Sequence, residues 1–259
     1  MEGMSRAGNL LFCVALSALL LLPTGVASAD EVEDQSEKPS TQILDKYLQA
    51  TQTHEDDLRG ASMNIDIDAS VPKLKEHGRW SALRKISKVG QVTYKVLGFQ
   101  GDNRVKSDVI GRYLQAEQQS QGDQSLAVTP ANYKFKYKGE KSRPGGKEVY
   151  CFQVTPRKKK VGLFKGEIEL DANTYLPVME KGRFVKNPSF FFKKVDFERT
   201  YNIQNGVAVP QKMCTTIDAR LIGKVELNVD YSNFTPNGAQ ADDNTTGSEA
   251  AALPGSPRQ

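Results

Sequence analysis

Side chains that commonly do chemistry are few in this sequence and do not stand in catalytic order. Two histidines, His54 and His77, fall in polar stretches. No HExxH helix, GxSxG elbow or Cys/His pairing accompanies them. Carboxylates are numerous, but they alternate with apolar residues in strand-like segments, which places them on outward, solvated faces. The segment Gly101, Asp102 and Asn103 lacks the glycine spacing and lysine of a phosphate loop and reads as a helix cap at Asp102 or Asn103. The expectation is a protein with no catalytic residue, metal site or cofactor, and not an enzyme.

Three other groups invite a functional reading. Cys151 and Cys214 are a disulfide pair if the chain is exported, since an oxidising compartment favours pairing. Two buried free thiols are the alternative. The run Arg157 to Lys160 is the densest charge in the chain. It is either a solvated hairpin loop or a patch attracted to an anionic membrane surface at about 1 kcal/mol per basic residue, with Lys193 and Lys194 extending it. Phe190, Phe191 and Phe192 on one strand would send side chains to both sheet faces, so one set lies in the core and the other needs a loop or a partner to cover it.

The elements that would position these groups follow an export signal. Arg6, an apolar run from Leu10 to Leu22 and small residues up to Ala29 have the order of a cleavable secretory signal. The apolar run of 13 residues is shorter than the roughly 20 needed to cross a bilayer, and no second apolar span follows it. Residues 1–29 are therefore expected to be removed, 30–40 to form a flexible leader, 41–235 one domain, and 236–259 a disordered tail. The formal charge of +4 on the whole chain is a mild excess and gives no reason to expect a nucleic-acid partner.

Within the domain, Ile43, Leu44, Tyr47 and Leu48 recur at helical spacing after a capping Thr41. A second helix is expected between Arg104 and Gln118, where Val105, Val109 and Tyr113 recur at fours. From Ser62 the period changes to two: Met63, Ile65, Ile67 and Ala69 alternate with Asn64, Asp66 and Asp68. The same alternation returns around Phe152 and Val154, around Phe164, Ile168 and Leu170, around Val195 and Phe197, and around Val225, Leu227 and Val229. Turn residues at Asp171 to Asn173, at Asn205 and Gly206, and at Gly223 join these strands into an antiparallel meander. A sheet with one wet face needs cover on the other, and two helices are too little to fill it, so an apolar cavity is expected.

The segments 166–178 (GEIELDANTYLPV), 205–213 (NGVAVPQKM) and 223–234 (GKVELNVDYSNF) together resemble the outer-membrane lipoprotein-sorting proteins, a class of periplasmic lipoprotein carriers with a half-barrel fold. The resemblance implies a mainly β (α+β) fold, a strongly curved antiparallel half-barrel sheet with helices covering the concave face. It also implies a periplasmic carrier for lipid or lipoprotein acyl chains. Ile65, Ile67, Phe152, Val154, Phe164, Ile168, Leu170 and Leu227 would line the apolar site. Carriers of this class hold their lid with an arginine on an early strand that hydrogen-bonds lid carbonyls, and of Arg79 and Arg84, which flank Trp80, Arg84 is taken as that latch. The alternative function is a non-enzymatic envelope scaffold that contacts another envelope protein.

Overall fold

A computed structural model describes residues 37–120, 122–187, 190 and 192–237. The expected signal segment, most of the leader and nearly all of the tail lie outside the described residues, as does Phe191. The opening helix α1 spans Glu37–Asp57. It begins four residues before Thr41 and takes in the end of the segment expected to be a flexible leader. Pro39 does not prevent this, because in a first helical turn the missing N–H has no intrahelical partner to lose.

Strands β1 (Ser62–Val71), β2 (Glu76–Ile86) and β3 (Val92–Gly101) follow as hairpins. A helical segment then runs through α2 (Asn103–Val105), a π-helical turn (Lys106–Gly111) and α3 (Arg112–Ser120). Seven further strands follow among the described residues: β4 (Tyr133–Arg143), β5 (Lys147–Pro156), β6 (Phe164–Asp171), β7 (Pro177–Phe184), β8 (Phe192–Gln204), β9 (Val207–Ala219) and β10 (Gly223–Thr235). All ten form one open antiparallel sheet in the order β3-β2-β1-β10-β9-β8-β7-β6-β5-β4. The sheet is curled and mainly β, with few helices.

This order explains why helices lie on the concave face. Strands β3 and β4 are the two edges of the sheet, yet they are consecutive in the chain. Residues 102–132 must therefore travel from one edge to the other, past nine strand spacings of about 4.8 Å each. They do so with the apolar side of the helical segment turned inward, burying Val105 and Ile110. Strands β6 and β7 approach most tightly at the paired Gly166 and Gly182. A Cβ on Gly166 would collide with the Lys181 carbonyl oxygen, and one on Gly182 would lie 2.6 Å from that of Lys165. Only glycine permits the strands to approach so closely.

The turn after β6 has its own local cause. The Asp171 carboxylate accepts from the backbone N–H groups of Asn173 and Thr174 at 3.0 and 2.9 Å and from the Thr174 hydroxyl at 3.0 Å. Tyr175 then takes a left-handed φ of 60°, and Pro177 opens β7.

The core forms two apolar clusters on the covered face. One gathers Ile65, Ile67, Trp80, Val225, Leu227 and Val229 beneath Val105 and Ile110. The other gathers Phe152, Val154, Phe164, Ile168, Leu170 and Tyr133 beneath Ile43 and Tyr47 of α1.

Two expectations are corrected here. Cys151 and Cys214 are free thiols, not a disulfide. They lie on β5 and β9 with β6, β7 and β8 between them, about 19 Å apart along the sheet, whereas a disulfide needs Cα atoms within about 7 Å. Both project away from the core, on the convex face, where curvature separates them further. Nor are all outward carboxylates solvated. Glu169 is only 1% exposed, held by Lys141 and by Arg143 Nε at 3.4 Å.

Candidate functional site: the covered concave face

Cross-strand neighbours share a face, so the register can be followed straight across the sheet at mid-strand. From β4 to β3 the row reads Tyr137, Phe152, Ile168, Glu180, Arg199, Met213, Val229, Ile67, Trp80 and Phe99. It is apolar from edge to edge apart from two adjacent charges near its centre. The outward positions beside it, such as Asp66, Asp68, Glu198 and Asp230, are polar. One face is thus built for burial, and helices outside the hydrogen-bonded ladder provide the cover.

The helical segment Asn103–Ser120 is held at its C-terminal end by a polar clip. Arg84 on β2 donates from Nε and a terminal nitrogen to Glu117 Oε1 at 3.1 and 3.0 Å, and the Tyr94 hydroxyl donates to Glu117 Oε2 at 2.6 Å. The Arg84 and Glu117 side chains are only 13% and 19% exposed. Burial opposes the charge on Arg84, but the Glu117 carboxylate together with the Tyr231 and Tyr94 hydroxyls outweighs it and raises the guanidinium pKa. Burial, then the charge on Glu117, pushes the Tyr94 hydroxyl up, so it remains a donor. Beside this clip, the Tyr113 and Tyr231 hydroxyls lie 3.3 Å apart, tying α3 to β10. A π-helical turn lies between the buried Val105 and the clip. Such turns lack regular i→i−4 bonding and often mark sites of function.

The other cover, α1, is fixed differently. Tyr47 donates its hydroxyl hydrogen to the Val128 carbonyl at 2.9 Å, and the Lys46 ammonium donates to the Tyr175 hydroxyl at 3.0 Å. Tyr175 stacks on Tyr150 with ring centroids 5.8 Å apart.

The eight residues expected to line an apolar site all face inward and are at most 4% exposed. They divide between the two clusters: Ile65, Ile67 and Leu227 in one, and Phe152, Val154, Phe164, Ile168 and Leu170 in the other. They pack on each other and on the helices, and none lines the open depressions of about 430 and 680 Å³. The larger of these is lined by polar outward residues of β5 to β8, including Lys165, Glu167 and Lys181, and by Phe184, Val185 and Phe197, which pack against the second cluster. Arg84 does reach the helical cover, but through a side-chain carboxylate.

Glu117, Tyr94, Glu180 and Arg199 were not singled out from sequence. For Glu117 a signal was present, because it extends by four the series Val105, Val109 and Tyr113. Asp102 occupies the capping position expected of it, where its carbonyl accepts from Lys106 N–H at 3.0 Å. Its carboxylate instead accepts from the His77 backbone N–H at 2.9 Å. In the basic run, Lys160 is tied to Asp123 at 2.8 Å and Arg157 to the Pro130 carbonyl at 2.7 Å, so half of that charge anchors a loop. Phe190 is 79% exposed, and the Arg220 guanidinium lies 4.8 Å from its ring centre.

No family model matches the chain, and no curated protein matches it. Solved structures do. A putative outer membrane lipoprotein-sorting protein domain from Vibrio parahaemolyticus is similar at 10% identity over 78% of this chain and 95% of its own, with a TM-score of 0.41. A DUF1329 family protein from Desulfovibrio piger is similar at 12% identity over 79% and 95%, with a TM-score of 0.42. A LolA superfamily protein from Nitrosomonas europaea is similar at 12% identity over 75% and 92%, with a TM-score of 0.34.

Proposed function

We propose that the protein is a periplasmic binder or carrier of acyl chains, working without covalent chemistry. The observation that carries the proposal is the apolar row across ten strands, covered by helices that are not part of the sheet. Burying one CH₂ yields about 0.8 kcal/mol, so a 16-carbon chain wholly covered would gain about 12 kcal/mol. Here that space is occupied by Val105 and Ile110 in the first cluster and by Ile43 and Tyr47 in the second. A chain entering either cluster displaces a helix, and the net gain is the difference between two apolar fillings. That difference is small enough to allow release, which a shuttle requires. Arg84, Glu117 and Tyr94 act as the latch that returns the cover.

Titration of the protein lacking residues 1–29 with a fluorescent 16-carbon fatty acid tests this. Saturable uptake of about one ligand per chain, tighter in Arg84→Met than in the parent, is the expected result. Uptake that never saturates, or none in either protein, removes the proposal.

A second reading is favoured by one end of the central strands β1, β10, β9 and β8. Phe190 and Leu221 are 79% and 71% exposed there, next to Arg220 and Lys73. Such a surface suits contact with another envelope protein or with an anionic membrane surface. Co-purification of a protein partner that Leu221→Ser abolishes, without lipid uptake, is the outcome that reading expects.

A further inference from the structure

Among the ten residues of the mid-sheet row, Glu180 and Arg199 alone are charged, and they lie side by side on β7 and β8. An ion pair at the centre of an apolar face contributes little to stability compared with apolar residues of the same size, because desolvation offsets the attraction. Its geometry is also poor for a structural pair. One terminal nitrogen of Arg199 donates to Glu180 Oε2 at 3.5 Å and to the Tyr201 hydroxyl at 3.3 Å, the other approaches Met213 sulfur at 3.8 Å, and the shorter bond to Glu180 Oε2 comes from the Tyr201 hydroxyl at 3.1 Å. The guanidinium has five N–H donors and favours two-pronged contact with an oxyanion, as Arg84 approaches with Glu117 at 3.0 and 3.1 Å. Arg199 makes no such contact, and donors are left over.

Those donors are reachable. The Arg199 side chain keeps 42% of its surface accessible although it stands mid-strand on a central strand of the covered face, while Glu180 keeps 12%. Apolar groups adjoin it on both sides. Its β9 neighbour Met213 belongs to one cluster, and Phe197, two residues earlier on β8, packs against the other. Tyr231 and Tyr113 supply hydroxyls nearby, and the Glu117 carboxylate and the Arg84 guanidinium add charges that act on the same hydroxyls. A cation with spare donors between two apolar beds fits an amphiphile with an anionic head.

We propose that Arg199 is the head-group site. It takes the carboxylate or phosphate of an acyl-chain lipid, and Glu180 is the internal anion that occupies Arg199 until the ligand displaces it. The inference rests on the acyl-chain reading above and adds a ligand class, anionic over neutral, that the apolar face alone does not specify. The two partners predict opposite effects: loss of Arg199 weakens anionic ligands, and neutralising Glu180 strengthens them.

The experiment compares palmitate with palmityl alcohol, which has the same tail and no charge. Each displaces a fluorescent fatty acid from the parent, Arg199→Gln, Arg199→Lys and Glu180→Gln, with folding of each variant checked by circular dichroism. The expected acid-to-alcohol affinity ratio is about tenfold or more in the parent, the size of a charge-assisted hydrogen bond. It falls to near one in Arg199→Gln, is intermediate in Arg199→Lys and rises in Glu180→Gln. If Arg199→Gln is unfolded, the rise in Glu180→Gln and the intermediate Arg199→Lys still decide. Equal binding of acid and alcohol by the parent overturns the head-group site but not the acyl-chain reading. A uniform loss for both ligands in every variant also overturns it, because that marks a structural pair. Failure of both ligands to bind overturns both. Adding phosphatidylglycerol as competitor identifies the source of the anion: stronger displacement than palmitate assigns a phospholipid phosphate, and weaker displacement a free carboxylate.

Discussion

Replacing Glu117 by glutamine should loosen the helical cover while leaving the sheet intact. Three hydrogen bonds converge on this carboxylate, at 3.1 and 3.0 Å from Arg84 and 2.6 Å from Tyr94. A bond to a charged group contributes about 1.5–3 kcal/mol and a neutral one about 1 kcal/mol. Glutamine can keep its oxygen toward Arg84 and donate from its N–H₂ group to the Tyr94 oxygen, so what is lost is the negative charge that strengthened all three bonds. With the side chains only 13% and 19% exposed, solvent screens little of that charge, and losing it costs about 2 kcal/mol. Because the cover is outside the ladder, the loss is local. Native-state hydrogen exchange of amides in residues 106–120 should speed up about thirtyfold, with β1 and β10 unchanged. Unchanged exchange in the helix would show that the clip holds nothing. Equal acceleration in helix and strands would show that the cover is part of the global fold, and the latch would have to be abandoned.

Four further outcomes are expected. Tyr133→Phe removes the hydroxyl that accepts from the Phe164 N–H at 3.2 Å in a buried setting; denaturant unfolding should show a loss of about 1–2 kcal/mol, and a neutral result would mean that water satisfies that amide. In the parent, burial pushes the same Tyr133 hydroxyl up to about 12, so its absorbance change should appear only near that pH. Hydrogen bonds from Lys160, then Ser125, lower the Asp123 pKa from 3.8 to about 2. A pKa depressed by folding adds stability above the unfolded value near 3.8, and that stability is lost as pH falls through about 2. NMR titration of the Asp123 carboxyl should find that low midpoint in the parent and a value near 3.8 in Lys160→Gln. Finally, reductant should leave the thermal midpoint unchanged, and the exposed Cys214 should react with a thiol reagent in the folded protein; a drop in midpoint with dithiothreitol would restore the disulfide.

The strands and their faces could be read from sequence wherever alternation was clean, as along Met63 to Ala69 and Val225 to Val229, because one side of a curled sheet is wet. Strand β4 had an equally clear signal in Tyr133, Phe135 and Tyr137 set between lysines. The end-to-end order was not legible, since nothing local tells β3 that its successor lies at the opposite edge. The disulfide expectation failed for the same reason: pairing depends on how many strands intervene, and that number is a property of topology. The polar pair was also hidden, because Glu180 and Arg199 lie nineteen positions apart in sequence and look like ordinary solvated charges until register makes them neighbours. Glu169 shows the converse, an outward carboxylate buried by lysine and arginine from the adjoining hairpin.

Native mass spectrometry of the protein lacking residues 1–29, purified gently from an envelope fraction, tests the central claim most directly. One acyl lipid per chain, released by organic solvent and reloaded from palmitate with shifts in the amide signals of β7 to β9, is the predicted result. A chain that always carries its unliganded mass, and whose signals do not move at saturating palmitate, would contradict it.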